Sequence, residues 1–331
     1  MTATTAKRPA PIPWRRVAKL LRAQRRAVIG MLALSTGGVL MGLVPPLALG
    51  TLVNALVERG DTAEGALLAL VVAVAVVAEA GAYILSDGLY ARAAGRLYFD
   101  LRRSMLEGAR RVVRRGSPLD GVSARFISDA ETIERITLAV LDSSIMLAVE
   151  FVSALVAIGV LEPISLAATA PWLAATWLAA RRMQAPVAVA GLVRQEQLEE
   201  MTAALDAEIQ TQAPTQAGTD FTRVAERLRD AEVRLGWLRA VNLQGSGGLA
   251  KLGPIAVVVV AAFAHLHHPG GLVALYLLAQ RAFYGFDGIV DMRLDLSGAR
   301  GAVHRCFALI DAGTDGDGEA RTSASIGQEA A

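Results

Sequence analysis

The sequence GVSARFISDAETIERI, residues 121–136, lies at the far end of a long charged excursion between two apolar segments. Its charged residues Arg125, Asp129 and Glu134 recur close to an i, i+4 rhythm, which predicts a helix that stands in water. The chain before this stretch contains two long apolar segments, and the chain after it repeats that course. Apolar segments of this length predict helices that cross a bilayer and continue into water.

The composition of the chain also predicts a membrane protein. Of its 331 residues 53% are hydrophobic and only 19% are charged, and the mean hydropathy is +0.42, which is unusually apolar for a soluble domain. We therefore expect an all-α polytopic membrane protein with six transmembrane helices and two long helical cytoplasmic excursions. The expected spans are residues 27–57, 65–87, 138–161, 163–180, 249–266 and 271–291.

Charge is distributed unevenly along the chain. Residues 1–26 contain eight cations and no acid: Lys7, Arg8, Arg15, Arg16, Lys19, Arg22, Arg25 and Arg26. The loops expected on the outer side contain a single cation, Arg59. This bias predicts a plasma-membrane protein with both termini in the cytoplasm. The basic flank is explained by topology and lipid headgroups, and nucleic acid is not an expected partner.

Residues 27–311 form the expected membrane domain, and residues 312–331 are small and polar, which predicts a disordered cytoplasmic tail. The first span contains Pro45 and Pro46, so it is expected to be kinked, and Gly38 and Gly42 stand at the spacing of closely packed membrane helices. The single cysteine, Cys306, excludes an intramolecular disulfide.

Four segments resemble the transmembrane domain of ABC exporters. They are PPLALGTLVNAL (45–56), GRLYFDLRRSML (95–106), the central GVSARFISDAETIERI, and GARGAVHRCFALIDA (298–312). The resemblance covers about residues 15–311. It implies that two cytoplasmic turns couple to nucleotide-binding domains. The residues that it places in this coupling are Ser117, Asp120, Gly121, Arg125, Asp129, Glu208 and Gln212.

The chain contains no phosphate-binding loop. The nearest candidate, GSGGLAKL (245–252), lacks the Gly-Lys-Ser/Thr ending and has no strand before it. We therefore expect no enzymatic activity and no cofactor in this chain, with ATP and Mg²⁺ bound by a separate nucleotide-binding partner.

The function expected from this resemblance is a permease subunit. It would export a small or amphipathic molecule, pair with a second transmembrane subunit in a homo- or heterodimer, and depend on another chain for ATP hydrolysis. Two alternatives stay open. Pro214, in a segment that the family keeps free of proline, favours a non-transporting scaffold or regulatory protein, and the chain could also be a truncated fused exporter.

Ionisable residues inside the spans are the candidate cavity lining. They are Glu79, Glu150, Arg281, Asp287, Asp291 and Asp295. The three aspartates recur at i, i+4 and i+8, so they share one helix face. The pattern favours pairing with Arg281, Arg293 or arginines of neighbouring helices, and the competing hypothesis is that the aspartates line a cavity and attract a cationic or amphipathic cargo. Glu79 and Glu150 are expected to face the bundle interior, in a proton or cargo role or in interhelix hydrogen bonds.

Three histidines, His265, His267 and His268, crowd one outer turn. No carboxylate or thiol stands beside them in the sequence, so no metal site is expected. Because these histidines make up all but one of those in the chain, no Ser-His-Asp or Cys-His arrangement is predicted.

Overall fold

The computed structural model describes residues 13–114, 132–210, 217–264 and 268–311, and within these ranges it contains helices and no strand. The all-α class is therefore confirmed. The helices are α1 (Trp14–Arg22), α2 (Arg25–Met41), α3 (Val44–Val57), α4 (Thr62–Arg114), α5 (Val140–Leu161), α6 (Pro163–Gln210), α7 (Ala217–Phe263) and α8 (Pro269–Asp311), with a π-helical turn at Arg135–Ala139 before α5.

Four of these helices are much longer than a bilayer requires. Helix α4 has 53 residues, and α6, α7 and α8 have 48, 47 and 43. At 1.5 Å per residue α4 is about 80 Å long, against a hydrocarbon core of about 30 Å. The sequence predicted this continuation, because no Pro, and no Gly-Ser or Gly-Pro pair, interrupts α4 after its apolar half.

The first predicted span is divided into two helices. Helix α2 ends at Met41, and α3 begins at Val44 with Pro45 and Pro46 in its first turn. Proline is tolerated there because the first amide groups of a helix have no intrahelical acceptor. The predicted kink is therefore a short break between two helices.

Four helical stretches are long and apolar enough to cross a membrane: Arg25–Val57, Thr62–Arg111, Thr132–Leu161 and Phe221–Phe263. They contain the first, second and third predicted spans and most of the fifth, whose helix ends at Phe263. The fourth and sixth predicted spans lie on α6 and α8, whose apolar stretches are less apolar than those of these four. Ala, Thr and Pro dilute the apolar half of α6, and Arg281 and Asp287 interrupt that of α8.

One face of α4 carries apolar side chains that no other described residue covers. Five of these side chains, each at least 60% exposed, are Leu67, Leu70, Val74, Val77 and Ile84. Their spacing of three and four residues, with a gap at Gly81, places them in one stripe. A continuous apolar stripe of this kind requires lipid or another protein chain beside it.

The chain divides into two compact units. The first comprises residues 1–30, 88–141 and 299–331, and its described part buries Leu97, Leu101, Met105, Ile133 and Leu138. Within it α1 is attached to the end of α8, since Arg16 forms an ion pair with Asp311 and lies over the ring of Phe307.

The second unit comprises residues 31–87 and 142–298. Its core joins α5, α7 and α8 around Ile158, Val257, Leu278 and Phe283. Gly253 of α7 lies directly against the Phe283 ring, so the absence of a side chain there lets α7 and α8 approach closely. All the polar contacts of the candidate site described below belong to this unit.

Candidate intramembrane polar site

The polar group at the centre of the site consists of Arg281, Glu79 and Glu150, from α8, α4 and α5. The Arg281 Nη2 donates to Glu79 Oε1 at 2.8 Å, and the Arg281 Nε lies 3.8 Å from Glu150 Oε1. The Arg281 Nη1 lies 3.5 Å from the carbonyl oxygen of Val39 at the end of α2. One guanidinium group therefore connects four helices. We refer to these three charged residues as the arginine triad.

The arginine triad lies well inside the predicted spans. Arg281 is about 18 Å from the start of α8, Glu79 about 25 Å from the start of α4, and Glu150 about 16 Å from the end of α5. The side chains of Glu79 and Glu150 are only 17% and 10% exposed. Ionised groups at such a depth are costly unless they are paired, which explains why the triad is formed.

Space for the arginine triad is provided by Gly42 at the end of α2. A Cβ at this position would overlap the Arg281 guanidinium group and approach the Glu79 carboxylate. One turn earlier, a Cβ on Gly38 would lie 3.1 Å from the Tyr83 ring. The small-residue spacing seen in the sequence therefore packs α2 against α4 and α8.

A second polar group lies between α7 and α8. Asp287 and Asp291 are one turn apart on α8, and Asn242 and Ser246 are one turn apart on α7. The Asn242 Nδ2 lies 3.5 Å from Asp291 Oδ1, and a Cβ on the adjacent Gly247 would lie 3.6 Å from Asp287 Oδ2. We refer to Asp287, Asp291, Asn242 and Ser246 as the aspartate site.

The aspartate site contains hydrogen-bond acceptors that receive no hydrogen bond from the described residues. The Asp287 Oδ1 and the Asn242 Oδ1 are buried and have no hydrogen-bond donor within the described part of the chain. Asn242 as a whole is only 4% exposed. Asp287 also forms no ion pair within those ranges. Two buried oxygen acceptors that face the same helix interface provide a favourable environment for a cation or a cationic donor group.

The two polar groups therefore differ in what they can bind. The carboxylates of the arginine triad face a guanidinium group of the protein itself. Arg281, which the sequence offered as a partner for the aspartates, is engaged with Glu79 and Glu150 instead. Of the predicted cavity residues, Asp287 thus has a carboxylate oxygen without a donor among the described residues, whereas Glu79 and Glu150 take part in interhelix contacts.

Several predicted site residues fall outside what the structure describes. Ser117, Asp120, Gly121, Arg125, Asp129 and Gln212 lie outside the described residues. Glu208 belongs to α6 and Asp295 to α8, but their side chains are also outside the described part. The coupling role of these residues stays a prediction.

One further polar network, inside the predicted spans, was not predicted from the sequence. Ser35 of α2 donates to Asp142 Oδ1 at 2.8 Å, and its hydroxyl lies 2.7 Å from that of Ser86 on α4. Ser86 in turn donates to the carbonyl oxygen of Met31 at 3.1 Å. Asp142 is an acidic residue inside the third predicted span, and an acidic residue at such a position indicates a polar contact between helices. Asn242 and Ser246 were missed too, although their i, i+4 spacing marks a polar helix face.

The turn near the histidines forms a contact between helix ends. His268 Nδ1 lies 3.0 Å from Glu58 Oε1, and the amide of Gly270 donates to Asn54 Oδ1 at 2.8 Å. His265 and His267 lie outside the described residues. Within the described ranges no group of three or more His, Cys, Asp or Glu residues has the arrangement of a metal site.

Comparison with known proteins adds no assignment to this geometry, since no family model and no curated protein matches the chain.

Proposed function

We propose that the chain is the membrane-spanning permease subunit of an ABC-type transporter that moves a cationic or amphipathic molecule. It works in the plasma membrane beside a second transmembrane subunit, with both termini cytoplasmic and six spans. Nucleotide-binding domains outside these 331 residues supply ATP hydrolysis. The proposal combines the sequence resemblance with one observation, the unfilled acceptors of the aspartate site.

The aspartate site supports the cationic character of the cargo. The Asp287 Oδ1 and Asn242 Oδ1 are buried and have no donor within the described part of the chain, and a carboxylate without a cation in a membrane-spanning helix is costly. A cation placed there would remove that cost, so binding of the cargo and stabilisation of the α7–α8 interface would be coupled.

The long helices support the transport mechanism. Helices α4, α6, α7 and α8 continue far beyond the length that a bilayer needs. In the resembled family such extensions reach the nucleotide-binding domains and transmit their closure to the membrane helices. The arginine triad would hold α2, α4, α5 and α8 together during that movement.

The test is cation binding by the purified protein in detergent, with tetraphenylphosphonium as the probe in equilibrium dialysis. We expect saturable binding that weakens at least tenfold in Asp287→Asn, because this substitution removes the charge and keeps the shape of the side chain. The matched control is Asp100→Asn, the same substitution at an exposed position of α4, which should bind within twofold of wild type.

Both variants should still show the thermal unfolding midpoint of a folded protein. This measurement distinguishes a loss of binding from a loss of structure. Unchanged affinity in Asp287→Asn would refute the aspartate site as the cargo contact. No saturable binding by folded wild-type protein would favour the non-transporting scaffold.

A further inference from the structure

A basic pocket lies in the first compact unit, between the start of α2 and the middle of α4. It has a volume of about 340 Å³ and is lined by Gln24, Arg26, Ala27, Leu89, Arg92, Ala93 and Arg96. Three of these side chains are cationic and none is acidic. Leu89 also contacts α2 closely, because a Cβ on Gly30 would lie 3.0 Å from Leu89 Cδ1.

The cationic side chains of this pocket lie at exposed positions, and no carboxylate among the described residues forms an ion pair with Arg26, Arg92 or Arg96. Arg92 and Arg96 stand at i, i+4, where like charges repel. The N-terminal end of the 17-residue α2 adds partial positive charge. An anion in the pocket would offset all three contributions.

The position of the pocket along the helices matches the edge of a bilayer. Arg92 and Arg96 follow the predicted span 65–87 by about 8 Å and about 14 Å along α4, and Arg26 directly precedes the predicted span 27–57. The headgroup layer occupies about 5–8 Å on each side of the hydrocarbon core. The pocket is therefore at the depth of the phosphates and just beyond it.

The pocket is also polarised along the membrane normal. Ala27 and Leu89 are its lining residues nearest to the apolar spans, and Arg96 is the one farthest along α4 from them. A phospholipid has the same order, with methylene groups toward the core and a phosphate toward water. The volume suits a glycerophosphate headgroup, whereas the acyl chains would stay in the bilayer.

We propose that this pocket binds the headgroup of an anionic phospholipid, with Arg26, Arg92 and Arg96 contacting the phosphate. Basic pockets between membrane helices recognise such headgroups. The site would hold α2 against α4 at the membrane surface. This inference depends on insertion into a membrane and not on the proposed transport activity.

The experiment is a lipid titration of the full-length protein in detergent, read by native mass spectrometry. The ligands are dioleoyl phosphatidylglycerol and its zwitterionic counterpart, dioleoyl phosphatidylcholine. We expect selective binding of phosphatidylglycerol, weakened at least tenfold in the double variant Arg92→Gln, Arg96→Gln. The control, Arg110→Gln, Arg114→Gln, has the same charge change and spacing at exposed positions of α4 that do not line the pocket, and it should bind within twofold of wild type.

The outcomes separate the sources of the phosphate. Equal affinity for the two lipids, or equal loss in the two double variants, would overturn the proposal. Glycerol 3-phosphate is added in a second arm and should neither bind at millimolar concentration nor displace the lipid. Binding of glycerol 3-phosphate as tight as that of the lipid would overturn the lipid as the ligand.

Discussion

Replacing Arg281 with Gln tests the arginine triad. The substitution leaves Glu79 and Glu150, whose side chains are 17% and 10% exposed, without a cation inside the predicted spans. Removing one partner of a buried ion pair costs about 3–5 kcal/mol. For a folded unit of about 200 residues this lowers the thermal midpoint by about 6–20 °C.

The contacts also predict a ranking of the two glutamates. Glu79 accepts a hydrogen bond at 2.8 Å, whereas Glu150 lies at 3.8 Å. Glu79→Gln is therefore expected to destabilise the protein more than Glu150→Gln. Adding Glu79→Gln to Arg281→Gln removes one of the two uncompensated charges, so the double variant should recover a large part of the loss.

The assay is thermal unfolding in detergent at a fixed scan rate, followed by intrinsic tryptophan fluorescence. Arg110→Gln on the exposed surface of α4 is the control and should change the free energy of unfolding by less than about 0.5 kcal/mol. If Arg281→Gln costs no more than this control, or if Glu79→Gln adds its full cost in the double variant, the triad does not hold the helices together.

Three further substitutions test contacts between helices, all by thermal unfolding. Gly42→Ala should destabilise the protein by about 1–3 kcal/mol, because its Cβ would overlap Arg281. The control Gly37→Ala has open space around it and should be neutral or stabilising by up to about 1 kcal/mol. Equal effects of the two substitutions would contradict the close approach of α2. Gly50→Ala should destabilise the protein at least as much as Gly42→Ala, since its Cβ would lie 2.6 Å from the Gly270 carbonyl oxygen and backbone cannot easily move. The control is Gly81→Ala, which has open space around it. An unchanged thermal midpoint in Gly50→Ala would refute this contact. Ser35→Ala should lower the free energy of unfolding by about 1–3 kcal/mol, because Asp142 loses its hydrogen-bond donor. Ser86→Ala leaves the Ser35–Asp142 bond intact and should cost less. The reverse order would refute the network.

The sequence predicted the helices better than their contacts. The long continuation of α4 followed from the absence of a helix breaker, and the close packing at Gly38 and Gly42 followed from their spacing. The division of the first span at residues 42 and 43 is the local effect of Pro45 and Pro46. The predicted spans on α6 and α8 are not among the four apolar stretches, because small and polar residues of α6 and charged residues of α8 lower their mean hydropathy.

The polar contacts depended on tertiary structure. Arg281 and Glu79 are 202 positions apart, so no local pattern could pair them. The sequence left open whether Glu79 and Glu150 bind cargo or connect helices, and the geometry places both beside Arg281. The i, i+4 spacing of Asp287 and Asp291 did predict one shared helix face. Only the packing of α7 against α8 revealed the partner residues on that face.

The proposed transport function is tested by a mild-detergent pull-down of the tagged protein from its native membrane, with mass spectrometry and an ATPase assay on the recovered complex. We expect a stoichiometric ATPase partner whose turnover is stimulated by a cationic amphiphile such as tetraphenylphosphonium. We also expect that Asp287→Asn abolishes this stimulation and leaves the partner bound. Reproducible recovery of folded, abundant protein without an ATPase, or stimulation that is unchanged in Asp287→Asn, would contradict the proposed function.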